Sequence, residues 1–112
     1  MKITLPWPPS INHYYRMASN GIHISRQGRE YRESVCGIVS PRAPLYGRLR
    51  VEIACYQPDR RTRDIDNVCK ATLDSLQHAE VYDNDGQIDQ LSVVRVGVDR
   101  KNPRVEIEVV EL

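Results

Sequence analysis

The chain has 112 residues, the usual size of one domain and too short for a nucleotide-binding domain joined to a substrate domain. Since 40% of the residues are hydrophobic and 28% are charged, and no apolar run approaches the roughly 18 residues of a membrane span, we expect one globular domain over residues 1–112, with no membrane contact and no nucleotide cofactor. The net charge of +1 conceals an asymmetry, because residues 1–63 carry 11 basic and 4 acidic side chains (+7) and residues 64–112 carry 5 and 11 (−6). A basic surface beside an acidic cluster suits a metal-dependent nuclease, although two solvated faces explain the charge equally well.

Periodicity predicts three elements in the first half of the chain. Polar and apolar residues alternate over residues 2–5 until a run of prolines stops the strand. Residues 10–28 contain the turn-forming residues Asn, Ser and Gly and show no helical period of apolar residues, so we expect a long loop. A helix follows, with Ser25 as its cap and Pro41 as its end. Its apolar face consists of Tyr31, Val35, Ile38 and Val39.

The second half predicts a strand and the clearest helix of the chain. Residues 49–55 alternate between apolar and polar side chains, as in a half-buried strand. Apolar residues then recur at helical spacing between Ile65 and Leu76. Asp64 or Asp66 is placed to cap the positive N-terminus of this helix.

Two further strands complete the predicted fold. Residues 91–98 approximate alternation and residues 105–109 alternate cleanly, with residues 99–103 as the turn of a hairpin. The resulting order is β-α-β-α-β-β. This order predicts an α+β (mixed α/β) domain with helices packed on one sheet.

The cysteines, histidines and N-terminus indicate no other site. Neither residue type shows the spacing of a disulfide framework or a zinc site, so we expect buried free thiols and structural histidines. The N-terminus lacks the basic region, apolar stretch and cleavage site of a secretory signal, which predicts a cytoplasmic protein. The residues concerned are Cys36, Cys55, Cys69, His13, His23 and His78.

The most informative segment runs from three arginines into two carboxylates that are one residue apart. If the chain is extended at Asp64 and helical by Asp66, the two carboxylates converge at a helix entrance, where they suit Mg²⁺. Lys70 lies one turn after Asp66 and can reach a phosphate held there. An N-cap and an i, i+4 pair are also ordinary on surface helices, so the structural interpretation carries equal weight.

A second acidic segment, residues 83–89, precedes the penultimate strand. A calcium-binding EF-hand is excluded, because placing Gly86 at the sixth loop position puts Val81 at the first and Ser92 at the last. A plain turn is one interpretation. The other is that Asp85 supplies a third carboxylate, provided that this strand lies beside the entrance of the second helix.

Four motifs together resemble the RusA family of Holliday-junction resolvases, small dimeric nucleases of bacteria and their prophages. The motifs span nearly the whole chain. The family often has two adjacent aspartates before the small residue and Gln, whereas this chain has Asn84-Asp85 there, so Asn84 departs from the pattern and Asp83 is displaced by one position. The motifs are Leu5–Asn12 with Tyr14 and Tyr15, Pro58-Asp59 with its arginines, Arg63–Asn67 with Lys70, and Asp85–Ile88.

The resemblance implies a metal-dependent endodeoxyribonuclease that acts in recombination and repair. Asp64, Asp66 and Asp85 would hold Mg²⁺, for which Mn²⁺ can substitute, and Lys70 would be the essential lysine. A homodimer would place two such sites on a four-way junction and nick opposing strands. The expected DNA-binding residues are Arg16, Arg60, Arg61, Arg63 and Asn67.

Two other functions fit the same residues. A non-catalytic module would bind branched DNA through the arginines and use the acidic residues as caps and turns. A phosphohydrolase would act on small phosphate esters. Cleavage assays on junction DNA, linear duplex and a small phosphodiester distinguish the three.

Overall fold

The computed structural model describes all 112 residues. Four strands form one mixed sheet in the order β1-β6-β4-β5, and β2 and β3 form a separate two-stranded hairpin. The predicted α+β class is confirmed. The elements are β1 (Lys2–Pro6), α1 (Ile11–Tyr14), β2 (Tyr15–Ala18), β3 (Gly21–Ile24), α2 (Arg26–Ile38), β4 (Leu49–Gln57), a first 3₁₀ helix (Ile65–Val68), α3 (Cys69–His78), a second 3₁₀ helix (Asp85–Gln87), β5 (Ile88–Val98) and β6 (Arg104–Glu111).

The core lies between one face of the sheet and helices α2 and α3. Strand β4 is central, and its alternation places every second side chain, from Leu49 to Cys55, against the helices. Val35 and Leu76 are fully buried on the helix side. Eighteen buried hydrophobic residues form this single cluster, whereas the opposite face of the sheet remains open to solvent with charged residues such as Glu52 and Glu106.

The predicted hairpin between the last two strands is wrong. β5 pairs parallel with β4, and β6 pairs antiparallel with the other edge of β4, so the turn at residues 99–103 crosses the end of β4. The Asp99 amide donates to the Gln57 carbonyl at 2.8 Å, and the Arg104 guanidinium lies 3.8 Å from the centre of the Tyr56 ring. These contacts hold the crossing in place.

The long loop predicted for residues 10–28 is also wrong, because this segment contains α1 and the β2–β3 hairpin. Ala18 pairs with Gly21 across a two-residue turn, Ser19 and Asn20. Gly21 has φ +125°, a conformation that glycine adopts without a steric penalty. Turn chemistry, rather than hydrophobic periodicity, therefore specifies this hairpin.

The predicted helices begin close to the expected residues. Ser25 caps α2, since its hydroxyl accepts a hydrogen bond from the Gly28 amide at 2.9 Å. The second predicted helix starts as a 3₁₀ turn, and Asp64 precedes it without a side-chain cap bond. Of the three cysteines, none forms a disulfide and Cys36 is exposed, which contradicts its predicted burial. No helix has the length and apolarity needed to cross a bilayer.

Candidate active site

A basic cleft of about 380 Å³ opens where β4 ends. The loop after β4 supplies one wall, and the proline-rich turn after β1 supplies another. Arg95 reaches the cleft from β5, on the side of the sheet that the helices cover. The polar side chains that line it include Ser10, His13, Gln27, Gln57, Arg61, Arg63, Asp64, Asn67 and Arg95.

The loop that carries Asp64 is held by Asp59 and Arg63. Arg63 donates to the Asp59 carboxylate at 2.8 Å, and its guanidinium lies 5.9 Å from the centre of the Trp7 ring. Hydrogen bonds from Arg63 and from the Arg61 amide lower the pKa of Asp59 to about 2, so Asp59 stays ionised. Arg95 donates to the Arg63 carbonyl from the neighbouring strand. The cleft wall is therefore tied to β1 and to β5.

The aspartates fall into two classes. Four of the eight receive hydrogen bonds from arginines: Asp59, Asp74, Asp89 and Asp99. The carboxylates of the other four form no ion pair and accept no hydrogen bond: Asp64, Asp66, Asp83 and Asp85. This holds for Asp64 although it lines the cleft with three arginines.

This distribution argues against the structural interpretation of Asp64 and Asp66. Asp64 makes no cap bond, and Asp66 makes no ion pair with Lys70 at the i, i+4 position. Both carboxylates are exposed and remain free for a ligand. The ammonium of Lys70 likewise has no partner within the chain.

Lys70 stands one turn before a cluster that joins three helices. Tyr14, Arg32 and Asp74, which we call the Tyr–Arg–Asp cluster, come from α1, α2 and α3. Arg32 donates to the Asp74 carboxylate at 2.6 Å and to the Tyr14 hydroxyl at 2.9 Å, and that hydroxyl donates to Asp74. Burial works against ionisation of Asp74, but the hydrogen bonds from Tyr14 and Arg32 outweigh it and lower the pKa. The cluster fixes α3 against α1, which contributes His13 to the cleft.

Asp85 lies at the opposite end of the sheet from Asp64. β4 and β5 are parallel, with Leu49 opposite Ile88 and Gln57 opposite Val98, and α3 returns the chain from the end of β4 to the start of β5. The Asp85 amide accordingly donates to Gln77 near the end of α3, at 2.8 Å. Since β5 rises about 3.3 Å per residue, Asp85 is on the order of 20 Å from the cleft.

A third carboxylate therefore does not join Asp64 and Asp66 within one chain. β5 begins beside the end of α3, not beside its entrance. No group of three or more His, Cys, Asp or Glu side chains is arranged to hold a metal ion. The unpaired carboxylate oxygens of Asp64 and Asp66 fit the donor chemistry of Mg²⁺, which commonly takes one or two protein carboxylates and completes its shell with water and substrate phosphate.

The predicted DNA-binding residues are only partly gathered in the cleft. Arg61, Arg63 and Asn67 line it beside Asp64, whereas Arg60 is exposed in the adjacent loop and Arg16 lies on the β2–β3 hairpin. Several polar lining residues were not predicted as site residues, among them His13, Gln27 and Arg95. Arg95 was detectable as the one basic residue in an otherwise largely apolar strand, while nothing in the local pattern marked His13 or Gln27.

Comparisons with known proteins identify the family. The model of the endodeoxyribonuclease RusA family matches residues 6–110. The chain is 40% identical to the crossover junction endodeoxyribonuclease RusA of Enterobacteria phage 82 and 39% identical to that of Escherichia coli strain K12, with 98% of this chain and 93% of each relative covered. It is 38% identical to the phage HK97 protein of the same name, over 99% of this chain and 94% of the relative. The chain belongs to the RusA family of endodeoxyribonucleases.

Proposed function

We propose that this chain is a crossover junction endodeoxyribonuclease, which hydrolyses phosphodiester bonds in four-way DNA junctions with Mg²⁺ or Mn²⁺. The observation that carries the proposal is the pair of unpartnered carboxylates, Asp64 and Asp66, at the entrance of a helix beside an arginine-lined cleft. A polyanion enters such a cleft favourably, and a cation is attracted to the two carboxylates.

The residues divide the chemistry between them. Asp64 and Asp66 would hold the divalent cation, which would supply Lewis-acid activation of water and of the scissile phosphate. Lys70 neutralises charge that develops on the phosphoryl oxygens as the water oxygen bonds to phosphorus and the leaving oxygen departs. Arg61 and Arg63 contact flanking phosphates, and Asn67 donates from the same wall. Contacts to the DNA phosphates do not distinguish one base sequence from another, so the geometry of the junction determines the target.

The proposed homodimer forms through β5. This strand is an edge of the sheet, and its eleven residues contain only two charged side chains, Asp89 and Arg95. Edge strands of monomers are usually short or protected by lysine, proline or covering elements. Here four large apolar side chains are 41–53% exposed: Leu91, Val94, Val96 and Val98.

Pairing of two β5 edges about a two-fold axis is antiparallel and brings the missing carboxylate to the cleft. The start of the partner's β5, preceded by the partner's Asp85, would lie beside the end of this chain's β5. That end carries Arg95, which lines the cleft with Asp64. We therefore propose that each metal site combines Asp64 and Asp66 of one chain with the partner's Asp85, and that the dimer nicks two strands of one junction.

Substitution of the carboxylates tests the proposal. Asp64→Asn, Asp66→Asn and Asp85→Asn should each lower Mg²⁺-dependent nicking of a synthetic four-way junction at least about 100-fold, because the cation supplies several kcal/mol of transition-state stabilisation. Glu33→Gln is the matched control, since this exposed carboxylate belongs to α2 rather than to β5 and forms no ion pair.

Binding without added metal separates the alternatives. The three variants should still bind the junction, because the arginines are unchanged. If they nick the junction like the unchanged chain, the acidic residues are structural and the catalytic assignment is wrong. If the unchanged chain binds junctions but never nicks them, it is a branched-DNA-binding module. Preferential cleavage of a small phosphodiester would identify a phosphohydrolase instead.

A further inference from the structure

The β2–β3 hairpin carries an apolar strip that extends beyond the body of the molecule. Directly paired residues share one face of an antiparallel ribbon, so Tyr15 and Ile24 lie on the same face as Met17 and Ile22. Tyr15 and Ile24 pack against the core. Met17 and Ile22, one step further out, are 85% and 67% exposed. The face that binds the core thus continues into solvent.

This exposed pair is unusual for the chain. Scattered single apolar residues are normal on a protein surface, but adjacent ones form a patch that calls for a ligand or partner. Met17 is the most exposed large hydrophobic residue of the protein. The pair lies one position before Ala18 and Gly21, the last pair before the turn, so it is close to the tip of the hairpin.

Hydrogen bonds and close packing hold the β2–β3 hairpin in place. The Ser25 amide donates to the Tyr14 carbonyl at 2.9 Å, which closes the base of the hairpin. The start of α2 packs so tightly against this base that a Cβ on Gly28 would lie 2.5 Å from the same carbonyl oxygen. Near the tip, His23 and Asn20 are hydrogen bonded at 2.8 Å. A braced ribbon can present its two apolar side chains without much ordering cost.

The charge around the hairpin favours a polyanionic ligand. No Asp or Glu precedes Glu30 in the chain. Arg16 lies on the opposite face of the hairpin from Met17, and Arg29 at the start of α2 has no carboxylate partner. Phosphates close to an inserted apolar tip would therefore be attracted by Arg16 on the hairpin and by Arg29 near its base.

The hairpin also stands beside the candidate active site. His13 precedes it, Gln27 follows it, and both side chains line the cleft that contains Asp64. DNA whose scissile phosphate lies in the cleft would thus have the base of the hairpin within contact distance.

On the basis of the proposed function, we propose that Met17 and Ile22 form a wedge that inserts against the base pairs at the branch point of a DNA junction. Stacking is already interrupted at a branch point, so an apolar side chain meets less resistance there than within a continuous duplex. The hairpin would favour junctions over linear DNA in this way, through base faces rather than base sequence.

The test is the double variant Met17→Ser and Ile22→Ser, with Ile38→Ser as the matched control. Ile38 is 47% exposed at the far end of α2. Without metal, the double variant should bind a four-way junction about tenfold more weakly, a change of about 1.4 kcal/mol, and should bind linear duplex as before. Met17→Leu retains an apolar tip and should bind junctions normally.

A fluorescent probe reports the insertion directly. 2-Aminopurine at the branch point should brighten when the unchanged chain binds and should stay dim with the double variant, while the same base within an arm should not respond. Junction affinity and fluorescence that survive in the double variant would overturn the wedge, even if nicking by the unchanged chain supports the proposed function. Loss of the dimer in sedimentation of the double variant would also overturn it, by assigning the pair to a second copy of the chain. If the unchanged chain does not bind junctions, the proposed function fails and the wedge fails with it.

Discussion

Removal of the central carboxylate of the Tyr–Arg–Asp cluster should destabilise the protein strongly. Asp74→Ala removes the acceptor for the Tyr14 hydroxyl and for two nitrogens of Arg32, at 2.6 and 3.1 Å. The Arg32 and Asp74 side chains are only 26% and 18% exposed, so the stranded guanidinium is poorly solvated. Breaking a fully buried pair costs about 3–5 kcal/mol and losing an exposed pair costs about 0–1, so we expect a loss of about 2–3 kcal/mol.

The matched control is Asp89→Ala, which removes an ion pair whose side chains are 56% and 45% exposed. Urea unfolding gives the free energy for both variants, and Tm should fall by about 10 °C for Asp74→Ala alone. Replacement of both Arg32 and Asp74 by apolar residues of similar volume should recover much of the loss. If Asp74→Ala lowers the free energy of unfolding no more than Asp89→Ala does, the Tyr–Arg–Asp cluster does not hold the helices together.

The Tyr–Arg–Asp cluster should also make the free energy of unfolding depend on pH. Because the folded-state pKa of Asp74 is lowered, its contribution is fully present above the ordinary aspartate pKa of about 3.9 and is lost as pH falls through the lowered value. The stability difference between the unchanged chain and Asp74→Ala should therefore narrow below about pH 4. A difference that widens in acid would contradict the direction assigned to this pKa.

Two further predictions concern the hairpin base and the cleft. Gly28→Ala should lower the free energy of unfolding in urea by about 1–3 kcal/mol, because the new methyl group would lie 2.5 Å from the Tyr14 carbonyl oxygen. The control is Gly37→Ala, which has nothing within 4 Å and should be neutral or stabilising. Equal effects of the two substitutions would refute the close packing at Gly28. Arg61→Ala should weaken duplex and junction binding alike and reduce the slope of log affinity against log salt by about 0.9, and an unchanged slope would mean that Arg61 contacts no phosphate.

The sequence predicted the elements whose burial follows a regular period. Strand β4 and helix α3 show alternation and a helical stripe, and both were located within a few residues. The β2–β3 hairpin was missed because its strands have four residues each and leave Met17 and Ile22 exposed, although Asn20-Gly21 is a hairpin signal. Alternation of apolar and polar residues does not reveal a strand whose apolar side chains are exposed.

Pairing between strands was the harder problem. A short turn suggested that β5 and β6 are neighbours, but β4 lies between them. The position of Asp85 depends on the parallel pairing of β4 and β5, which no local pattern encodes. The motif grouped Asp64 and Asp66 with Asp85, and only the topology separates Asp85 from the other two within one chain.

Mixing two inactive chains tests the proposed active site most directly. Asp64→Asn and Asp85→Asn chains, unfolded together and refolded, should form mixed dimers in which the intact Asp64 of one chain meets the intact Asp85 of the other. One of the two sites in each mixed dimer is then complete. When half of the dimers are mixed, about one quarter of all sites are complete, so junction nicking should return to about one quarter of the normal rate. The products should be single-strand nicks in place of paired ones. If each site is built within one chain, every site in the mixture lacks one carboxylate, and persistent inactivity of the mixture would contradict the account.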